Sequence, residues 1–157
     1  MIYIGVDPGQ RGGYAVISTS ETGQAVFAYP WDDTFFVTEM QALSRTGNGI
    51  VAAVEKVGAM PHQGVSSMFS FGQSYGFIQG VLTALGIPYQ LVPPRKWKAE
   101  FGLLNTSKED SVRVAKRLFP GVNLLPSERC RKDSDGMSDS LLMAEYARRH
   151  FGEGYVE

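Results

Sequence analysis

Residues 1–18 read MIYIGVDPGQRGGYAVIS, two apolar runs separated by a polar turn. The first run ends at Asp7, and Pro8-Gly9 follows directly, which predicts a buried strand that stops at a tight turn. Gly12-Gly13 lets the chain start back as a second strand, about Tyr14–Ser18. A carboxylate at the end of a buried strand is costly unless a positive charge compensates it. Asp7 is therefore the first candidate functional residue.

Two other places in the sequence put acids beside an apolar run. Glu55 closes the run Ile50–Val54. Asp135 and Asp139 precede the run Leu141–Ala144, and they lie one turn apart if this segment is helical. Two like charges at that spacing destabilise a helix without a cation, and the helix dipole offsets the cost least at the second position. A pair of divalent metal ions would hold all these carboxylates, and metal pairs that clamp an in-line displacement hydrolyse phosphodiesters. The acids therefore indicate a nuclease.

The composition predicts one ordinary globular domain over residues 1–157. The chain is 43% apolar and 20% charged, and its one cysteine, Cys130, excludes an internal disulfide and suits a reducing cytosol. No run of about 18 apolar residues is present, and no basic segment precedes the first strand. We therefore expect no membrane span and no signal peptide, and a location in the cytoplasm of a bacterium or a phage-infected host.

The net charge of −1 is not typical of a DNA-binding protein, but the charges are unevenly distributed. Residues 1–90 carry 3 Lys/Arg and 6 Asp/Glu, whereas residues 91–157 carry 12 and 10. Nucleic-acid contact depends on local basic patches more than on the total charge. The candidate DNA-contacting residues in the second half are Arg95, Lys96, Lys98, Lys108, Arg131 and Lys132. Lys108 stands out because the first turn of a helix disfavours a cation, which suggests that it reaches a phosphate.

The hydrophobic pattern predicts an α/β protein with a mixed five-stranded sheet flanked by helices. The predicted strands are about 2–6, 14–18, 25–29, 50–55 and 88–92. The predicted helices are about 34–44, from Ser66 or Ser67 to 85, a short one around Trp97, 108–119 capped by Thr106 or Ser107, and 135–151. Three strands joined by short turns form an antiparallel meander, and the strands that follow helices pair in parallel.

The second predicted helix carries glycine at every fourth position, at Gly72, Gly76 and Gly80. Glycine inside a helix costs about 1 kcal/mol relative to alanine, so three on one stripe need a reason. Close packing of this stripe on the protein's own sheet, or on another helix, would supply one.

Taken in order, these motifs resemble the RuvC family of Holliday junction resolvases, in its phage-type branch, within the RNase H-like superfamily. The matching segments are Ile4–Tyr14, Val54-Glu55-Lys56, Phe71–Gly76, Trp97, Lys108, Lys116–Pro120 and Asp135–Ala144. The resemblance implies an RNase H-like fold and a homodimer that nicks four-way or other branched DNA. It also implies that Asp7, Glu55, Asp135 and Asp139 hold two Mg²⁺ ions, for which Mn²⁺ is expected to substitute, and that the glycine-bearing helix contributes to the dimer.

Two positions depart from the family pattern. Bacterial members commonly space the last two acids by three residues, but Gly136 stands three before Asp139. Asp135 is the preferred third ligand, and Asp133 is the alternative. Bacterial members also tend to carry a base-stacking aromatic residue where this chain has Gly58. Met60 or Phe69 could take that role, or it could be absent, so cleavage preference does not transfer.

Other functions remain as alternatives. A nuclease of the same fold could act on flap DNA or on an RNA–DNA hybrid, because recognition of a substrate by shape leaves little trace in the sequence. The segment Gly5–Gly9 also resembles the first phosphate loop of actin-like ATPases. Those proteins need two domains and a second glycine-rich loop, which 157 residues cannot supply. A catalytically inactive DNA-binding scaffold is disfavoured because all the acids are present.

Overall fold

A computed structural model of the chain describes residues 1–58 and 64–152. Along these residues the strands are β1 (Ile2–Asp7), β2 (Gly13–Ser20), β3 (Gly23–Pro30), β4 (Ile50–Glu55) and β5 (Tyr89–Val92). The helices are α1 (Asp33–Ser44), α2 (Val65–Ala84), α3 (Pro94–Glu100), α4 (Lys108–Leu118) and α5 (Asp135–His150). All the predicted elements form. That residues 1–157 make one domain stays a prediction.

The strands form one mixed sheet in the order β3-β2-β1-β4-β5. β1, β2 and β3 pair antiparallel, and the register places Asp7 opposite Gly13. β4 lies parallel to β1 with Val54 beside Val6, and β5 lies parallel to β4. This is the predicted arrangement of three antiparallel strands followed by two parallel ones. It brings the carboxyl ends of β1 and β4, where Asp7 and Glu55 stand, to the same edge of the sheet.

Alternating residues of the strands fill two separate cores, one on each face of the sheet. Ile2, Ile4 and Val6 face the core that contains Phe36 and Met40 of α1 and Ile78 and Leu82 of α2. Tyr3, Ala15, Ile17, Val51 and Ala53 face the other core, which α3, α4 and α5 cover. This two-residue alternation is what a strand buried on both faces requires. The sheet is therefore the central layer between two layers of helices.

Backbone contact joins α5 to the centre of the sheet. A Cβ atom added to Gly5 would lie 2.0 Å from the carbonyl oxygen of Ser140 and 2.2 Å from the amide nitrogen of Ala144. At the start of α5, a Cβ on Gly136 would lie 2.1 Å from the carbonyl oxygen of Arg11 and 2.7 Å from the Cα of Gly12. Only glycine permits such approaches. The helix therefore rests on β1 and on the turn that follows it.

The predictions for α2 and α4 had mixed outcomes. Ser107 caps α4, and its backbone N–H donates to the Asp110 carboxylate at 2.9 Å, as one of the two predicted caps. The predicted start of α2 at Ser66 or Ser67 was wrong, because the helix begins at Val65 after a Gly64 N-cap that offers no side-chain bond. The helix starts without a side-chain cap, and glycine is among the residues accepted at an N-cap.

The glycine stripe of α2 does not pack on the protein's own sheet, so that expectation was wrong. A Cβ atom on Gly72, Gly76 or Gly80 would meet nothing within 4 Å among the described residues. All three glycines are exposed, and only Ile78 and Leu82 of this helix are buried. The stripe faces outward and stays open to another partner. No helix in residues 1–58 and 64–152 is apolar for long enough to cross a lipid bilayer.

Gly5→Ala should lower the free energy of unfolding by at least about 3 kcal/mol, because the new methyl group collides with backbone that cannot rotate away. Chemical denaturation followed by circular dichroism measures the change. Gly121→Ala is the matched control, since a Cβ there has no neighbour within 4 Å, and it should change stability by less than about 0.5 kcal/mol. Equal stability of the two variants would contradict the close packing of α5 on β1.

Candidate active site

Two of the predicted acids lie side by side at the edge of the sheet. Asp7 ends β1 and Glu55 ends β4, one residue beyond the paired Val6 and Val54. Burial raises the pKa of Asp7 well above its usual range, and the negative charges of Glu55, Asp139 and Asp135 raise it further. Burial also raises the pKa of Glu55. The carboxylates are therefore close enough to repel one another.

Helix α5 brings the other two acids to the same edge. Ser134 caps the helix by accepting from the N–H of Met137 at 3.2 Å, so Asp135 occupies the first turn and Asp139 the second. Burial raises the pKa of Asp139 to about 6, against an opposing hydrogen bond from Ser111. The contact of Gly136 with the turn after β1 holds this end of α5 in place. Three segments far apart in the sequence thus bring the four predicted acids to the same edge of the sheet, where the other three act on the charge of Asp7.

The structure separates the two alternatives for the third acid. Asp135 lines the cleft with Asp7 and Asp139, and its carboxylate forms an ion pair with Lys108 at 2.8 Å. Burial opposes ionisation of Asp135, but the bond and charge of Lys108 outweigh it, so the pKa of Asp135 lies below its usual range. Asp133 instead pairs with Lys116 and does not line the cleft. The position of Gly136 explains the unusual spacing, because a side chain there would strike the turn.

A buried tryptophan holds Glu55. The Nε1–H of Trp97 donates to Oε2 of Glu55 at 2.8 Å, and this bond opposes the effect of burial on the Glu55 pKa. Trp97 is fully buried on α3. The sequence analysis used Trp97 only as part of a motif and missed this contact, because the two residues are 42 positions apart.

Three of the four acids, Asp7, Asp135 and Asp139, line a cleft of about 1480 Å³. Arg11, Lys98 and Lys108 line it, and the charge of Lys98 opposes the rise in the pKa of Asp7, Glu55 and Asp139. A polar face of α2 also lines the cleft, and its members are Ser66, Ser67, Ser70, Gln73 and Ser74. Arg11 was not among the predicted site residues, although its place in the turn after Asp7 is a usable signal in the sequence. The polar face of α2 was not predicted either, because glycines and apolar residues interrupt its pattern in the sequence.

The other predicted DNA-contacting cations lie outside the cleft. Arg95 and Lys96 are exposed on α3. Arg131 is exposed, and Lys132 pairs with Glu109 at 3.4 Å while 84% of its side chain stays exposed. Lys132 is near enough to help lower the pKa of Asp135. Of the two stacking candidates, Phe69 is 69% exposed on α2, and Met60 lies outside the described residues.

The donor set suits a hard divalent cation, because it offers carboxylate oxygens in a region where negative charge is under-compensated. The raised pKa values of Asp7, Glu55 and Asp139 express that excess of charge. In residues 1–58 and 64–152, no three His, Cys, Asp or Glu side chains lie close enough together to enclose one metal ion as they stand. Two of the four carboxylates are bonded to Trp97 and Lys108. The residues therefore fit a divalent metal by the chemistry of their donor atoms.

Asp139→Asn should stabilise the metal-free protein by up to about 3 kcal/mol at pH 8. The pKa of Asp139 is about 6 in the folded protein against an ordinary 3.8, so its ionisation costs the folded state stability as the pH rises from about 4 to 6. The gain should shrink between about pH 6 and 4, where wild-type Asp139 takes up its proton. Urea denaturation in EDTA at both ends of this range measures it.

Glu21→Gln is the control, since Glu21 is exposed at a turn far from the acids in the sequence. It should leave stability unchanged at both pH values. An Asp139→Asn protein that is no more stable than wild type at pH 8 would show that burial does not disfavour the ionised Asp139 carboxylate in the folded state.

Comparisons with known proteins agree with this architecture. No protein-family model matches the chain. The chain is 34% identical over 95 residues to the chloroplastic Holliday junction resolvase MOC1 of Chlamydomonas reinhardtii, and the match covers 60% of this chain but only 10% of that relative. Thermus thermophilus RuvC superposes with a TM-score of 0.55 at 16% identity, covering 95% of this chain and 96% of RuvC.

The structure of T. thermophilus RuvC with a Holliday junction substrate gives the same TM-score of 0.55 at 15% identity, with 95% and 96% of the two chains covered. At such low identity the likeness establishes the fold alone. The chain therefore has the RuvC-like, RNase H-like fold, and 60% of it is related in sequence to a Holliday junction resolvase.

Proposed function

We propose that the protein is a metal-dependent endonuclease that nicks four-way DNA junctions. The observation that carries the proposal is the convergence of Asp7, Glu55, Asp135 and Asp139 from β1, β4 and α5 at one edge of the sheet, where Asp7, Asp135 and Asp139 line the cleft. Excess carboxylate charge beside an open, partly cationic cleft is what phosphodiester hydrolysis with divalent metals requires.

Asp7, Glu55, Asp135 and Asp139 would hold two Mg²⁺ ions, with Mn²⁺ as a substitute. Such a pair supplies an activated water and stabilises the leaving oxygen of an in-line displacement. Among the chain's own groups, Asp135 would exchange its bond to Lys108 for the cation. Lys108 would then be free to reach a phosphate, which accounts for a cation at the first turn of α4, where the helix dipole disfavours it.

The three basic residues inside the cleft and those outside it would have different roles in binding DNA. Arg11, Lys98 and Lys108 stand beside the acids and would contact the phosphates nearest the cleaved bond. Arg95, Lys96, Arg131 and Lys132 are exposed at a greater distance and would contribute sequence-independent contacts to flanking DNA. The polar face of α2 would donate hydrogen bonds to the backbone of the DNA strand that lies across the cleft.

The junction is favoured over other substrates by the comparisons. The related chloroplastic protein of Chlamydomonas reinhardtii is named a Holliday junction resolvase, and one RuvC structure contains a Holliday junction. Cleavage of flap DNA or of an RNA–DNA hybrid is the second candidate, since the four acids suit any phosphodiester. A phage or prophage origin rests on the motifs at residues 116–120 and 135–144, a cytoplasmic setting rests on the single cysteine, and both stay predictions.

We also propose a homodimer formed through α2. The face of this helix that points away from the cleft carries exposed apolar side chains, with Val65 87% and Phe69 69% accessible. The open glycine stripe would let a second helix approach closely. A two-fold pair would present two clefts to two opposed strands of a junction.

The purified protein should cut a synthetic four-way junction at paired, symmetric positions in Mg²⁺ and not in EDTA. Each strand is labelled in turn, and products are resolved on denaturing gels. Asp7→Asn should reduce cleavage to background while junction binding is kept or strengthened, because a negative charge that faces phosphate is removed. Glu21→Gln is the control and should cut normally.

If flaps, hybrids or plain duplex are cut while the junction stays whole, the nuclease assignment holds and the junction assignment fails. If Asp7→Asn cuts as well as wild type, the carboxylate cluster is not the active site.

Phe69→Glu should convert the dimer to a monomer, because it places a charge in the proposed interface. Sedimentation equilibrium measures the mass. Phe27→Glu is the matched control, since Phe27 is also an exposed aromatic residue, 51% accessible, but lies on β3. A wild-type protein that sediments as a monomer in the absence and presence of junction DNA would refute this interface.

A further inference from the structure

We propose that Trp97 is a positioning residue for the active site, which fixes the carboxylate of Glu55 through its indole N–H. The inference rests on the proposed function, because it assigns Glu55 a role in holding metal. The observation is the 2.8 Å bond from Nε1 of Trp97 to Oε2 of Glu55, made by a fully buried indole on a different element.

Packing of the buried indole holds the N–H donor of Trp97 rigidly. Trp97 has no exposed surface and belongs to the same core as Phe101, Leu103 and Leu124. Pro94 starts α3 with a fixed backbone angle, so the short helix that carries the indole is itself well defined. A tryptophan has few rotatable bonds, and packing leaves its N–H a single direction. The bond therefore selects one orientation of Glu55 before any ligand arrives.

The indole also neighbours the cation of the cleft. Nζ of Lys98 lies 5.3 Å from the centre of the Trp97 ring, within the range of a cation–π contact. Lys98 lines the cleft beside Asp7 and Asp139. Helix α3 thus supplies a donor for one acid and a charge near the others, from two consecutive residues.

A purely structural reading is that the buried N–H needs some acceptor and finds one. That the acceptor is the carboxylate of Glu55 supports a positioning role for Trp97 as well. Glu55 ends β4 with its carboxylate partly buried, and burial raises its pKa despite the bond. A neutral carbonyl would satisfy the indole without placing it against an acid of the cluster. The test must therefore report on Glu55 and not only on folding.

The first arm uses Trp97 as its own reporter. Trp31 is the other tryptophan, so the Trp31→Phe protein has Trp97 as its single emitter. Titration with Mg²⁺ alone should change the Trp97 emission as the charge on Glu55 is compensated. Adding Glu55→Gln should abolish the change. This arm keeps Trp97 in place, so it is informative even if replacing Trp97 lowers stability.

The second arm measures metal affinity by calorimetry and the Mg²⁺ dependence of junction cleavage. Trp97→Phe keeps a buried ring and removes the donor, and it should weaken Mg²⁺ binding about tenfold. Phe101→Leu, in the same core just after α3, is the matched control and should leave Mg²⁺ affinity unchanged. In a Glu55→Gln background, Trp97→Phe should add no further loss, because the two residues act through one bond.

The two proposals fail separately. The positioning role is overturned if Trp97 emission does not change with Mg²⁺. It is also overturned if Trp97→Phe binds Mg²⁺ as tightly as the wild type or as Phe101→Leu. In either case the wild type can still cleave junctions. If the wild type cuts no branched DNA but Trp97 emission responds to Mg²⁺ through Glu55, the positioning role holds and the junction nuclease fails.

Discussion

The backbone contact between α5 and β1 is the constraint on which the site depends. Gly5 lets the helix rest on the central strand, and Gly136 lets its first turn rest on the turn after Asp7. These two approaches fix where Asp135 and Asp139 stand relative to Asp7. The same contact excludes a side chain at position 136, so the third acid sits one residue earlier than in the common spacing. Packing has therefore selected which carboxylate enters the cleft.

The acid cluster costs the fold stability, and the surrounding helices limit that cost. Burial and mutual repulsion raise the pKa of Asp7 and Asp139, which means that the ionised, metal-free site is under strain. Three side chains of α3 and α4 bond to the acids: Trp97 bonds to Glu55, Lys108 to Asp135 and Ser111 to Asp139. These helices therefore supply hydrogen-bond donors to the acids. A cation that bound there would compensate the negative charge that the donors leave.

Helix α2 differs from the rest of the molecule in how it is used. Its polar face lines the cleft, two side chains enter the core, and its glycine stripe and large apolar residues stay exposed. This one helix therefore borders both the acidic cleft and an exposed apolar face.

The sequence by itself determined the strand pattern, the mixed sheet and the four acids, because alternation, turn residues and strand-ending carboxylates are local signals. Residues 59–63 lie outside the described residues, so Met60 as one of the two candidates for the base-stacking role is untested. Tertiary structure alone decided that Asp135 and not Asp133 faces the cleft, that Trp97 bonds Glu55, and that the glycine stripe faces outward. Each of these depends on contacts between residues far apart in the chain, and periodicity carries no information about which surfaces meet.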